Sequence, residues 1–219
     1  MTKVFVLFFI FVLSFKLTVS AESFRVFYSS LPPYEQISSD GEAEGLGIDK
    51  IQSYFNLYGH IVDFKYNSMA RGIAALHSGR VDFSTAAQPN EALTEAFWIS
   101  EKPLYYINVG VFRREVVAEI VSFDELAKLS TVSLKDSNFY FLNIPEFTES
   151  TNHYKVDDFA VASKLIRTDR FDYFLSYYNP QKHSENIDLE FDQLKSVPVF
   201  LILSKQHPNA KQLKPLLNL

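Results

Sequence analysis

The segments Leu76-His-Ser-Gly-Arg-Val-Asp-Phe-Ser84 and Leu165-Ile-Arg-Thr-Asp-Arg-Phe-Asp-Tyr-Phe-Leu-Ser176 follow one plan: a helix end, a tight turn, Arg-(Val or Phe)-Asp, then a strand. In both, an apolar stripe at helical spacing (Ile73 and Leu76; Phe159, Ala162 and Leu165) leads into a turn near Gly79 or Thr168-Asp169. An aromatic-rich strand then follows Asp82 or Asp172. A chain that spells the same helix-to-strand unit twice is expected to build two similar α/β lobes. Two lobes joined by short crossovers enclose a cleft, which is where small molecules usually bind.

Residues 1–21 carry the pattern of a secretory signal: Lys3 at the start, an apolar run from Val4 to Phe15, and small residues at Val19-Ser20-Ala21. A membrane anchor is the alternative reading, but Ser14 and Lys16 interrupt a run already short for about 30 Å of hydrocarbon. No other apolar stretch is long enough to cross a membrane, so a soluble, exported, periplasmic protein is expected. Removing the signal leaves roughly 198 residues, enough for one two-lobed body, and 47% hydrophobic residues can supply its core. The signal holds Lys3 and Lys16 and no acid, so the formal charge of −5 becomes roughly −7 in the remainder. That balance argues against nucleic acid as a partner, since its binding relies on Lys and Arg neutralising phosphates. Cysteine is absent, which excludes disulfides, thiol catalysis, cysteine metal sites and a lipid-bearing N-terminal Cys.

Strands are expected at Phe24 to Ser29, Ile61 to Tyr66, Val81 to Ala87, Tyr105 to Phe112, Thr131 to Leu134, Tyr154 to Val156, Tyr173 to Tyr178 and Val197 to Leu203. Between them fall a helix capped by Asp49 and running to Tyr58-Gly59, helices Ser68 to Ser78, Glu91 to Ala96 and Phe159 to Thr168, and a helix opened by the capping box Ser122-Phe-Asp-Glu125. A short C-terminal helix from Asn209 is interrupted by Pro215. Strands alternating with helices imply mostly parallel sheets with covered faces, so the fold class is α/β.

Six elements in this order resemble the periplasmic solute-binding proteins of family 3, the polar amino-acid type. They are the first strand followed by Pro32-Pro33-Tyr34, then Gly45-Leu-Gly-Ile-Asp49, Leu76-His-Ser-Gly-Arg-Val-Asp82, Ile99-Ser-Glu-Lys-Pro-Leu-Tyr105, Ser122-Phe-Asp-Glu-Leu126 and Arg170-Phe-Asp172. The resemblance implies a two-lobed type II periplasmic-binding fold with a two-strand hinge. Lobe 1 would comprise residues 22–112 plus 197–219, and lobe 2 residues 113–196. It further implies a monomer that captures a small-molecule ligand between its lobes, without a cofactor, and delivers it to an inner-membrane ABC permease.

The same resemblance points to ligand-binding residues. Tyr34 matches an aromatic beside the cleft, Met69 falls where an aromatic commonly stacks on the ligand, and Gln88 lies in the loop after the third strand. Ser137 and Asn138 fall at a helix N-terminus in the second lobe, a position suited to an anion. Two expected residues are missing. No base stands in Asn90-Glu-Ala-Leu-Thr-Glu95, where the amino-acid binders place a carboxylate-gripping Arg, and Ser176 and Tyr177 stand where they place an amine-holding Asp. Without that pair a buried zwitterion would be left uncompensated, so a ligand other than a standard amino acid is expected. Arg71 is a candidate substitute cation, with Tyr28, Tyr34, Tyr177 and Tyr178 lining the cleft; a solvated helix face is the alternative for Arg71, and core packing for the tyrosines.

An enzyme is not expected. There is no Gly-x-Ser-x-Gly elbow and no phosphate-cradling glycine loop, and His60, His77, His153, His183 and His207 lack metal-ligand spacing. Asp157-Asp158 suits helix capping better than paired acid/base work. The remaining alternatives are a sensing or accessory module that reports a ligand to a membrane receptor and, behind it, a dehydratase-like enzyme acting on a small acid.

Overall fold

Strands and helices alternate along the chain as the apolar periodicities require. A computed structural model describes residues 21–135 and 153–218. The strands are β1 (Ser23–Tyr28), β2 (Gln36–Ile37), β3 (Ala43–Glu44), β4 (Ile61–Tyr66), β5 (Phe83–Ala87), β6 (Phe97–Ile99), β7 (Tyr105–Arg114), β8 (Thr131–Leu134), β9 (His153–Val156), β10 (Tyr173–Tyr177) and β11 (Leu189–Ser204). The helices are α1 (Leu46–Leu57), α2 (Met69–His77), α3 (Glu91–Ala96), α4 (Phe123–Leu126), α5 (Phe159–Arg167), α6 (Pro180–Glu185) and α7 (Ala210–Leu213), followed by a 3₁₀ turn at Lys214–Asn218.

The main sheet runs β4-β1-β5-β11-β7-β10-β8-β9, with β6 added to β11. At one end β4, β1 and β5 are parallel; at the other, β9, β8 and β10 are parallel. Each end is therefore a βαβ block in which a helix, α2 or α5, carries the chain across the central strand of its block. In the sheet the two blocks are joined through long antiparallel strands, and the fold class is α/β with two lobes. β7 pairs with β10 through Val109–Phe112, and β11 pairs with β5 through Val199–Ile202. Each long strand thus runs from one half into the other, and they pair with each other from Tyr105↔Val199 to Arg114↔Leu189.

The repeat is reproduced bond for bond. In the first copy Gly79 N–H donates to Leu76 O and Arg80 N–H to Ala75 O (3.3 and 2.9 Å); in the second Asp169 N–H donates to Ile166 O and Arg170 N–H to Leu165 O (3.3 and 3.0 Å). This is the helix stop in which a left-handed residue turns the chain, and Gly79 and Asp169 sit at φ +71° and +56°. The Asp that follows is held by an Arg from a neighbouring strand. Asp82 accepts from the Arg25 backbone N–H and guanidinium, and Arg25 also donates to Gly79 O. Asp172 accepts from Arg114, which also donates to Ile166 O and Phe171 O and pairs with Asp169. The Asp of the Arg-x-Asp pattern thus pins a helix-to-strand turn to the sheet.

Some boundaries differ from the sequence reading. Gly45 takes the N-cap position of α1 and Asp49 lies one turn inside, because Pro33 O and Tyr34 O accept the first N–H groups of the helix. β11 begins at Leu189, eight residues before the expected Val197, since pairing with β7 extends it through a stretch with little apolar signal. α6 was not anticipated, although Asn179 accepts from the N–H groups of Gln181 and Lys182 and Pro180 opens the helix. The capping residues Ser122 and Asp158 do accept the expected bonds, from Glu125 N–H and Val161 N–H.

β7 and β11 approach so closely that a Cβ on Gly110 would lie 2.0 Å from Asp192 O. Gly110→Ala is expected to lower stability by about 2–4 kcal/mol, read from the denaturant midpoint, because the clash is with backbone and cannot be relieved by a rotamer.

Candidate functional site

β1 and β5 end side by side, and the loops that follow them diverge around a hollow. The double proline after β1, with a cis Pro32-Pro33 bond, folds back so that Leu31 and Glu35 exchange backbone bonds (2.7 and 3.0 Å). The carbonyls of Pro33 and Tyr34 accept the N-terminal N–H groups of α1 at 2.8–3.2 Å, which fastens this loop to the body. After β5, Gln88 adopts a left-handed conformation (φ +47°) with its N–H on Pro198 O, and Asn90 caps α3 through Leu93 N–H. A non-glycine residue in that region is a local strain of the kind concentrated at functional positions.

Between these loops lies a cavity of about 480 Å³. Ser29, Ser30, Thr85 and Gln88 give it polar edges, and Phe27, Met69, Ile73, Leu93, Ile107 and Val199 give it an apolar floor and sides. Open α/β sheets bind ligands in this place, outside the carboxyl ends of strands where the chain leaves in opposite directions.

The buried charge on the wall is Glu35, 4% exposed. Its Oε1 accepts from the hydroxyls of Thr85 and Tyr105, both at 2.8 Å. Burial pushes the Glu35 carboxyl up from the usual carboxylate range, while the Thr85 and Tyr105 hydroxyls and the Ser29 N–H draw it back. Burial also pushes the Tyr105 hydroxyl well above its ordinary value, and the neighbouring Glu35 charge adds to that. Tyr105 in turn stacks on Tyr34 (5.8 Å between centroids, 12° between planes), and the Tyr34 hydroxyl accepts from Asn108 N–H at 3.0 Å.

Met69 and Gln88 lie on the cavity wall. Tyr34 and Tyr177 do not line it; they meet edge to face at 6.3 Å inside the apolar cluster that joins the two halves. Tyr28 is buried against Phe64 and Tyr66 on β4. Ser176 is buried in β10 opposite Gly110 of β7. Arg71 is exposed on α2 and lines a separate hollow of about 310 Å³ with Lys65, Asn67 and Arg80. Ser137 and Asn138 fall outside the described residues. The sequence reading missed Glu35, Thr85 and Tyr105. An acid directly after Pro-Pro-Tyr was a visible oddity, but nothing in the sequence placed it opposite a strand threonine.

No family model matches the sequence, and no curated protein matches it at a significant level. Solved structures do. The L-cystine solute receptor of Neisseria gonorrhoeae, in its unliganded open conformation, superposes with a TM-score of 0.63 at 18% identity, covering 90% of this chain and 85% of that one. The fold is that of the two-lobed periplasmic binding proteins. A histidine kinase sensor domain with similarity to periplasmic binding proteins shares this periplasmic-binding fold with a TM-score of 0.59 at 17% identity, covering 89% and 86%. An ancestral amino-acid-binding protein, a precursor of cyclohexadienyl dehydratase, does so with a TM-score of 0.58 at 17% identity, covering 89% and 88%. Among the described residues no helix is long and apolar enough to cross a membrane.

A folded-state carboxyl raised above its unfolded value contributes stability at low pH that is lost as pH rises through the raised value. Relative to Glu35→Gln, the ligand-free protein is therefore expected to lose stability as pH rises from the acid side through and beyond the ordinary carboxylate range, measured by urea unfolding at a series of pH values. Tyr105→Phe removes a hydroxyl donor to the same carboxyl and is expected to cost about 1.5–3 kcal/mol at pH 7, with a smaller loss in acid.

Proposed function

We propose that the protein is an exported solute receptor that takes a small molecule into the cavity at the ends of β1 and β5. Residues 22–112 plus 197–219 would form one moving body and residues 113–196 the other, with the crossing strands β7 and β11 flexing between them. Closure removes water and strengthens each polar contact to the ligand. The observation that carries this reading is the cavity itself: a hollow of ligand size, at the strand ends, walled on one side by the strands that pass into the second half.

The solute is a non-standard one for this fold. In the described wall no Lys, Arg or His is present to grip a carboxylate, and Asn90 spends its side chain on the helix cap. Delivery to an ABC permease from the periplasm is the first role we assign. Reporting the ligand to a membrane receptor is the second, favoured by the likeness to a kinase sensor domain.

A thermal-shift screen across amino acids, carboxylates, polyamines and small peptides tests the reading. At a hundredfold excess over Kd a ligand adds about 2.7 kcal/mol, which corresponds to a rise in Tm of roughly 5–10 °C for a chain of this length. Ala87→Trp, which fills the cavity, is expected to abolish that rise. A rise that survives Ala87→Trp, or none across the panel, would count against the cavity as the binding site.

A further inference from the structure

Three acids are buried among the described residues: Glu35, Asp82 and Asp192, at 4, 7 and 8% exposure. Asp82 pairs with Arg25 at 2.8 Å, and Asp192 with Arg113 at 2.7 Å. Glu35 has no such partner among the described residues; its donors are two neutral hydroxyls and a backbone N–H. A buried carboxylate without a counter-charge is costly, and buried charges are ordinarily paired. This one lies on the wall of the cavity.

The complementary group is missing as well. The wall holds no Lys, Arg or His among the described residues. A carboxylate or phosphate entering the cavity would find hydroxyls and an amide at its edges but no cation among the described residues, and Glu35 would repel it. A neutral solute would leave Glu35 as unpaired as before. The rest of the wall, with Phe27, Met69, Ile73 and Leu93, suits an apolar body.

We infer that the cavity takes an organic cation without a carboxylate, an amine, quaternary ammonium or guanidinium on a partly apolar body, with Glu35 as its counter-charge. This rests on the solute-receptor reading above and adds the charge class of the solute.

Matched pairs decide it. Affinities of the full chain are measured by titration calorimetry for agmatine against arginine, cadaverine against lysine, choline against glycine betaine, and choline against its uncharged isostere 3,3-dimethylbutan-1-ol. At least one cation is expected to bind, with its carboxylate-bearing or uncharged counterpart weaker by about ten- to a hundredfold, the range for a hydrogen bond to a charged group. Glu35→Gln is expected to bring the cation down to the affinity of the uncharged compound, and Glu35→Asp to retain most of the difference. Should Glu35→Gln fail to fold, the pairs on the natural protein decide alone. Arginine binding as tightly as agmatine, or a neutral or anionic solute preferred to every cation, overturns the charge class and leaves the receptor reading standing. A cation held equally well by folded Glu35→Gln overturns the role of Glu35. No binding from any class of solute overturns both.

Discussion

The antiparallel pairing of β7 with β11 is the constraint on which the two halves depend. β7 bonds one block through Val109–Phe112 and β11 bonds the other through Val199–Ile202, so the pairing of the two must persist through the crossing region. Gly110 lets the strands close to backbone contact, and the register shifts between Gln193 and Lys195, just beside it. Asp192 then accepts from both the Arg113 guanidinium and Ile120 N–H, which ties the start of the second half to the strand that leaves it. The apolar cluster around Ile107, Val109, Val197 and Tyr177 fills the space on one face of this crossing.

The cavity inherits its geometry from the same strands. Tyr105 opens β7 and delivers its hydroxyl to Glu35, while Val199 on β11 faces it across the ladder. The Pro-Pro loop is held from behind by the N-terminus of α1 and from the front by Thr85 and Tyr105 through Glu35. A rigid wall results, and rigidity is what a site needs if its selectivity is to come from one buried charge.

Much of this framework was legible in the residues. Ile61–Tyr66, Glu91–Ala96 and Thr131–Leu134 fall where the apolar pattern puts them, because short strands and capped helices are local decisions. The repeated Arg-x-Asp unit was legible as a repeat, and the structure supplies the reason for its Asp in Arg25 and Arg114. The first half of β11 was not legible, since Glu190, Asp192 and Lys195 belong to a strand only because β7 lies beside them. The candidate tyrosines show the same limit. An aromatic beside a predicted cleft can pack into it or away from it, and Tyr28, Tyr34 and Tyr177 pack away, into cores that the chain assembles from distant segments.

By itself the sequence determined the α/β class and the doubling of the unit. These follow from periodicity, turn chemistry and residue identity, which act over a few neighbours. Tertiary structure alone decided that Arg71 faces outward and that Glu35 lies buried beside the hollow with neutral donors. Burial and charge pairing are sums over residues far apart in the chain, and only the folded arrangement brings Glu35, Thr85 and Tyr105 to one point.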